Sequence, residues 1–142
     1  MHTLQDRKNA RELLETQNFS CVMICNGKRI TSAARGIAPL VELWESGEKL
    51  SGACAADKIV GKAAALLMAG MGVSHVYAKV LSKPAARVLQ FWDVPYECET
   101  LTDAIQNRAG DGLCPMEQAV KDVDEPQEAF LAVKETLARL RA

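Results

Sequence analysis

The chain has 142 residues, and its 17 Lys and Arg side chains against 18 Asp and Glu give a formal net charge of -1. This balance argues against nucleic-acid or membrane-surface partners, because phosphate backbones and anionic lipids attract chains with excess positive charge. An apolar content of 49% with 25% charged residues is typical of a soluble globular protein and excludes disorder. The length is that of one domain, which we expect to span residues 1–142.

Three features bear on the compartment. The least polar stretch, from Ala63 to Val73, is far shorter than the roughly 20 residues that a transmembrane helix needs. The N-terminus lacks the apolar centre of a signal peptide. Five cysteines at irregular spacing indicate thiols rather than a disulfide framework. We therefore predict a cytoplasmic protein without a membrane span.

Local signals define the first elements. A capping box at residues 3–6 predicts a helix over 4–16. An extended apolar run followed by Asn26-Gly27 predicts a β-hairpin over 19–33, because this dipeptide favours the tight turn that joins two strands. Apolar residues at helical spacing then predict a short second helix that ends near Ser46.

The rest of the chain alternates strands and helices. We predict strands over 50–53, 76–81 and 96–99, and helices over 54–71, 84–91, 114–123 and from 126 onward. This order predicts an α/β fold, a three-layer α/β/α sandwich with a mixed five-stranded sheet. Ligands in such sheets bind beyond the carboxyl ends of the strands, where helices begin, which directs attention to residues 51–58 and 107–117.

The segment from Ser51 to Lys58 is predicted to place Cys54 at a strand-to-helix turn. A helix N-terminus favours the thiolate, which makes Cys54 a candidate nucleophile. Asp57 follows as a candidate general acid or base, and Lys58 as a candidate ligand for an anion. The alternative interpretation is a buried apolar cysteine, an acid that serves the helix dipole and a solvated lysine.

A second motif, Cys114-Pro-Met-Glu117, has the register of an N-cap, a proline at N1 and a capping-box glutamate. A thiol caps poorly, which suggests a further role for Cys114 and makes Glu117 a candidate acid or base. Just upstream, Asn107 and Arg108 open a glycine-containing loop that could form an anion-binding nest. A buried cysteine, a local cap and an ordinary surface turn are the structural alternatives.

Metal binding is not expected. Cys21 and Cys25 share a strand face but lie about 13 Å apart along it, too far to share a zinc ion. The chain has no Cys-x-x-Cys and no His-x-x-x-His pattern. We therefore predict neither a metal nor another cofactor.

The segment from Gly52 to Ala65, Asn107-Arg108 and Cys114-Pro-Met-Glu117 together resemble the domain of unknown function 1893 family, over nearly the whole chain. That family is similar in fold to the cytidine deaminases, so the resemblance implies a cytidine-deaminase-like fold.

Deaminases carry a zinc ligand and a glutamate at one helix start and two cysteine ligands at the next. The resemblance places Cys54 near the first ligand and Asp57 near the acid. Ala85 and Val88 stand where the two thiolates belong, so zinc-dependent deamination is not expected.

Two functions stay open. The first is a metal-independent enzyme that uses Cys54 or Cys114, with Asp57 or Glu117 as acid or base, on a small anionic or nucleotide-like ligand. The second is a non-catalytic binding or sensing module for such a ligand, with a homodimer as one arrangement. Fold analogy alone does not choose between them.

Overall fold

Helices and strands alternate along most of the chain in a computed structural model that describes residues 3–141. The helices are α1 (Leu4–Thr16), α2 (Ala38–Ser46), α3 (Lys62–Gly70), α4 (Lys83–Phe91), α5 (Pro115–Ala119) and α6 (Pro126–Arg141). The strands are β1 (Cys21–Cys25), β2 (Lys28–Ser32), β3 (Cys54–Val60), β4 (His75–Ser82) and β5 (Tyr96–Thr102). None of the helices in this described part is both long and apolar enough to cross a bilayer.

The five strands form one mixed sheet in the order β2-β1-β3-β4-β5. Strand β1 runs antiparallel to both β2 and β3, whereas β3, β4 and β5 are parallel. Helices α3 and α4 connect the parallel strands, and helices cover both faces of the sheet. The mixed five-stranded sheet and the α/β architecture predicted from the sequence are confirmed.

Local chemistry explains the first elements. The Thr3 hydroxyl accepts the backbone N–H of Asp6, and the Asp6 carboxylate accepts that of Thr3, so the capping box starts α1 where it was predicted. Asn26 and Gly27 both have positive φ, 51° and 79°, as a type I′ turn requires. The predicted first helix and hairpin are confirmed.

The core is divided by the sheet. On one face, Ala10 and Leu14 of α1 pack against residues of β1 and β3 that include Val22 and Cys54. On the other face, a larger cluster joins the sheet to α2, α3, α4 and α6, and Trp44 stacks on Phe130 with ring centroids 4.9 Å apart. Residues 63–68 of α3 are all buried.

The predicted start of this alanine-rich helix is wrong. Residues 54–60 form the central strand β3, and the helix begins only at Lys62, after Gly61. Alanine prefers helices, but that preference is weak compared with tertiary packing. Here β3 is hydrogen-bonded on both sides, and its small side chains let helices approach both faces of the sheet. The predicted strand over 50–53 is therefore replaced by β3.

Burial of α3 predicts a large effect for Ala65→Glu. Ala65 is fully buried, so the substitution should place an unpaired charge in the core and lower the free energy of unfolding by more than about 3 kcal/mol. Ala138→Glu on the exposed side of α6 is the matched control and should change stability by less than about 0.5 kcal/mol. Urea denaturation of both variants measures this, and equal stabilities would contradict the placement of α3.

Candidate functional site

Two helices begin at the edge of the sheet where the parallel strands end. Helix α3 follows β3 after Gly61, and α4 follows β4 directly, with the Ser82 hydroxyl accepting the Ala85 N–H at 3.1 Å. The first N–H groups of a helix lack intrahelical partners and carry partial positive charge. This edge therefore concentrates hydrogen-bond donors.

The donors of α3 are taken by a glutamate from a distant part of the chain. The carboxylate of Glu117 on α5 accepts the backbone N–H groups of Lys62 at 2.6 Å and Ala63 at 3.0 Å. Its side chain is buried and has no role in capping its own helix. The predicted capping box between Cys114 and Glu117 is therefore wrong, because the carboxylate caps α3 instead.

Two further features support this contact. A Cβ atom at Gly61 would lie only 2.3 Å from a Glu117 carboxylate oxygen, so any larger residue there would displace the carboxylate from its present position. In return, the Lys62 ammonium donates to the Lys121 carbonyl at 3.0 Å and lies 3.4 Å from Asp124. Helix α3 is thus held both to α5 and to the segment that follows α5.

A cleft of about 560 Å³ lies beside this junction, between α4 and the α5 region. It is lined by Lys62, Pro84, Arg87, Val88, Phe91, Trp92, Ala104, Leu113, Glu117, Lys121 and Asp124. We call it the α4–α5 cleft. Its volume is within the range of small-molecule sites.

Charge in the α4–α5 cleft is unevenly compensated. Glu117 and Asp124 are occupied by the α3 N-terminus and Lys62. The side chains of Arg87 and Lys121 make no hydrogen bond or ion pair within residues 3–141. The cleft therefore offers two available cations beside Phe91 and Trp92, whose rings pack edge to face at 5.3 Å.

Most residues of the α4–α5 cleft were not predicted from the sequence as site residues. Of the seven predicted site residues, only Glu117 lines it. Arg87 and Phe91 are four residues apart on α4 and share a helix face, and Phe91 remains 74% exposed. An aromatic residue one turn after an arginine in a predicted helix is the sequence signal that could have indicated this surface.

Cys54 and Lys58 are not at a helix start. Both belong to β3, and Cys54 lies six residues before Val60, roughly 20 Å from the end of the strand where α3 begins. Cys54 is buried against α1, and burial raises the pKa of its thiol to about 11. The predicted helix-start environment for Cys54 and Lys58 is therefore wrong.

Asp57 is also a strand residue and lies opposite Cys21 in the antiparallel β1–β3 pair. Its carboxyl group accepts the Ile59 N–H at 3.2 Å and hydrogen-bonds with the Cys21 thiol. Burial raises the pKa of Asp57 to about 7 despite these bonds, and burial together with this acid raises the pKa of Cys21 well above its usual value. The acid is absent from the α4–α5 cleft lining.

The residues of the second motif have mixed positions. Cys114 occupies the N-cap position of α5 as predicted and is partly exposed, but its thiol makes no capping bond. Asn107 does not leave an open nest, because its side-chain oxygen accepts the Gly110 and Asp111 N–H groups at 2.8 and 3.3 Å. Arg108 is exposed in the same turn, outside the cleft lining.

A family profile described as a domain of unknown function, DUF1893, matches residues 9–137. The chain belongs to the DUF1893 family. The crystal structure of a DUF1893 family protein from Thermotoga maritima, at 2.70 Å, is similar with a TM-score of 0.84 and 28% identity, covering 98% of this chain and 92% of that one. No curated protein matches the chain.

Zinc does not fit the helix starts of this DUF1893 protein. Ala85 and Val88 are buried on α4, and Gly61, Lys62 and Ser82 add neither thiol nor imidazole there. No group of three His, Cys, Asp or Glu side chains suited to a metal occurs within the described residues. Zinc prefers four ligands drawn mainly from cysteine and histidine, and the starts of α3 and α4 supply neither.

The Glu117 contact predicts a specific loss of stability. Glu117→Ala should lower the free energy of unfolding by about 2–3 kcal/mol, because two partly or fully buried N–H groups lose a charged acceptor. Glu117→Gln should lose less, since its amide oxygen still accepts one of them. Glu135→Ala, an exposed acid on α6, is the control, and urea denaturation showing equal losses for Glu117→Ala and Glu135→Ala would contradict the contact.

Asp57 predicts a pH dependence of stability. Its pKa is raised by folding from 3.8 to about 7, so between these values the native state binds more protons than the unfolded state. The free energy of unfolding should therefore fall as pH rises from 5 to 8. Relative to Asp57→Asn, wild type should lose on the order of 1–4 kcal/mol over this range.

Urea denaturation at pH 5 and pH 8 measures the Asp57 effect. Asp122→Asn removes an exposed acid and should keep the wild-type pH dependence. A wild-type pH dependence in Asp57→Asn would show that another group titrates.

Proposed function

We propose that this DUF1893 protein is a non-catalytic binding or sensing protein for a small anionic, nucleotide-like ligand held in the α4–α5 cleft. The observation that carries the proposal is the pair of available cations, Arg87 and Lys121, next to the exposed rings of Phe91 and Trp92. Guanidinium and ammonium groups bind phosphate or carboxylate, and aromatic faces stack on planar rings.

The protein itself caps much of the two helix N-termini at this edge. The N–H groups of Lys62 and Ala63 on α3 are occupied by Glu117, and the Ala85 N–H of α4 is capped by Ser82. We therefore expect side chains to hold the ligand anion, which makes Arg87 and Lys121 the expected determinants of affinity. Lys62 contributes less, because its ammonium is already bonded to Lys121 and Asp124.

The cysteine-using enzyme is the second interpretation, and the geometry favours it less. Cys54 is buried with a pKa raised to about 11, which disfavours the thiolate at neutral pH. Cys114 is accessible and follows Leu113 of the cleft, but its own side chain does not line the cleft. Cys114 is thus the thiol on which a catalytic alternative depends.

The proposal includes a cytoplasmic location and a small-molecule ligand rather than a nucleic acid. All five cysteines are free thiols in the structure, which suits a reducing compartment. The net charge of the chain is only -1, so we expect affinity for phosphate to come from the cleft and not from the charge of the whole protein.

Calorimetric titration with adenosine monophosphate, adenosine and inorganic phosphate tests the function. The nucleotide should bind at least about tenfold more tightly than the other two, because it engages both the cations and the rings. Arg87→Met and Lys121→Met should each weaken nucleotide binding by about tenfold.

Arg29→Met, an exposed arginine on β2, is the control and should bind as wild type. Cys114→Ser should also bind as wild type, and mass spectrometry should show the nucleotide unchanged. Wild-type affinity in the Arg87→Met, Lys121→Met double variant would contradict the cleft, and nucleotide turnover abolished by Cys114→Ser would favour the enzyme.

A further inference from the structure

A second cleft lies on the α1 face of the sheet, the side remote from α3 and α4. It has a volume of about 650 Å³, and its lining includes Arg11, Glu15, Lys58, Tyr77, Lys79 and Glu99. Helix α1 packs mainly on β1 and β3 and less on β4, so the sheet forms an open floor beside the end of the helix. We call it the α1 cleft.

One wall of the α1 cleft is already satisfied by its own contacts. The guanidinium of Arg11 lies 2.9 Å from Glu15 and 4.5 Å from the centroid of the Tyr77 ring. The Tyr77 hydroxyl is 3.3 Å from Glu15, and the tyrosine is almost fully buried. These three side chains hold one another in place and leave little charge for a ligand.

The floor of the α1 cleft, which the sheet forms, differs from this wall in the pairing of its charged side chains. Lys58, Lys79 and Glu99 belong to neighbouring strands, and the in-register pairing of the residues around them sets the three side by side. At a strand spacing of about 4.8 Å, their Cα atoms form a row about 10 Å long. None of the three makes a hydrogen bond or ion pair with another side chain in the described part of the chain.

This row has a definite pattern of charge. Lys58 and Lys79 are adjacent like charges, an arrangement that destabilises a sheet and that a bound anion would relieve. Glu99 comes next, and α1 ends at this cleft without a basic residue in its last turn. Carbonyl groups at a helix C-terminus favour cations. The cleft therefore offers an anion site and a cation site a few ångströms apart.

We propose that the α1 cleft binds a small zwitterion of the α-amino-acid class, with its carboxylate on Lys58 and Lys79 and its ammonium group toward Glu99. A compact zwitterion matches this row because its two charges are separated by a single carbon. The site is independent of the α4–α5 cleft, since the two clefts share no lining residue. Lys58, which the sequence predicted as an anion ligand near a helix start, would bind the anion from strand β3 instead.

Three matched probes test the class of ligand: L-alanine, propionate, which lacks the ammonium group, and ethylamine, which lacks the carboxylate. Each is titrated into the isotope-labelled full chain and followed through backbone amide NMR shifts. L-alanine should give saturable shifts around residues 58, 79 and 99, with a dissociation constant on the order of 1 mM or tighter. Propionate and ethylamine should bind about tenfold more weakly.

Variants test which side chain binds the carboxylate of the ligand and which binds its ammonium group. Lys79→Met should weaken L-alanine and propionate binding by about tenfold, whereas Glu99→Gln should weaken L-alanine and leave propionate unchanged. Lys28→Met, on the hairpin and paired with Glu48, should have no effect. Non-saturating shifts, equal affinity for all three probes, or wild-type binding in Lys79→Met would overturn the proposal, and nucleotide titration separately reports the α4–α5 cleft.

Discussion

The buried carboxylate of Glu117 on the first N–H groups of α3 is the contact on which the arrangement of this end of the protein depends. It joins residues 55 positions apart in the chain and fixes α5 against the central helix of the larger core. An unpaired N–H group buried at a helix start is costly, so the chain must supply an acceptor there. Gly61 allows the close approach, and Lys62 returns a bond to the chain just after α5.

This contact also determines what kind of site the sheet edge can form. In many α/β proteins a helix N-terminus binds the ligand anion itself. Here the N-terminus of α3 is filled by a side chain of the same protein, so the function that we propose assigns the recognition of an anion to Arg87 and Lys121 on the cleft walls. Side chains of this length adapt to ligands of different shape, which suits a binding or sensing role.

The two faces of the sheet differ in the size of their apolar core and in the side chains beside it. The face covered by four helices carries the larger apolar core, and the cleft beside it combines aromatic rings with cations. The face covered by α1 alone has the smaller apolar core, and a row of charged side chains lies on the uncovered part of the sheet. A sheet covered on one side by a single helix leaves its outer strands accessible, and accessible strands carry polar side chains because they remain in contact with water.

Local signals in the sequence were sufficient for the elements that depend on neighbouring residues. The capping box of α1, the Asn26-Gly27 turn and the proline-opened helices α4, α5 and α6 follow from contacts within a few positions. The class of fold follows as well, because alternation of strands and helices restricts the ways in which a sheet can be covered.

Tertiary packing determined β3 and the candidate site. The alanine-rich composition extended the predicted helix back to Cys54, yet hydrogen bonding to β1 and β4 makes residues 54–60 the central strand. Cys54, Asp57 and Lys58 therefore lie away from any helix start. The partner of Glu117 lies on another helix, and the α4–α5 cleft joins segments from residues 62 to 124. No local pattern encodes such contacts, because they exist only after distant segments have packed together.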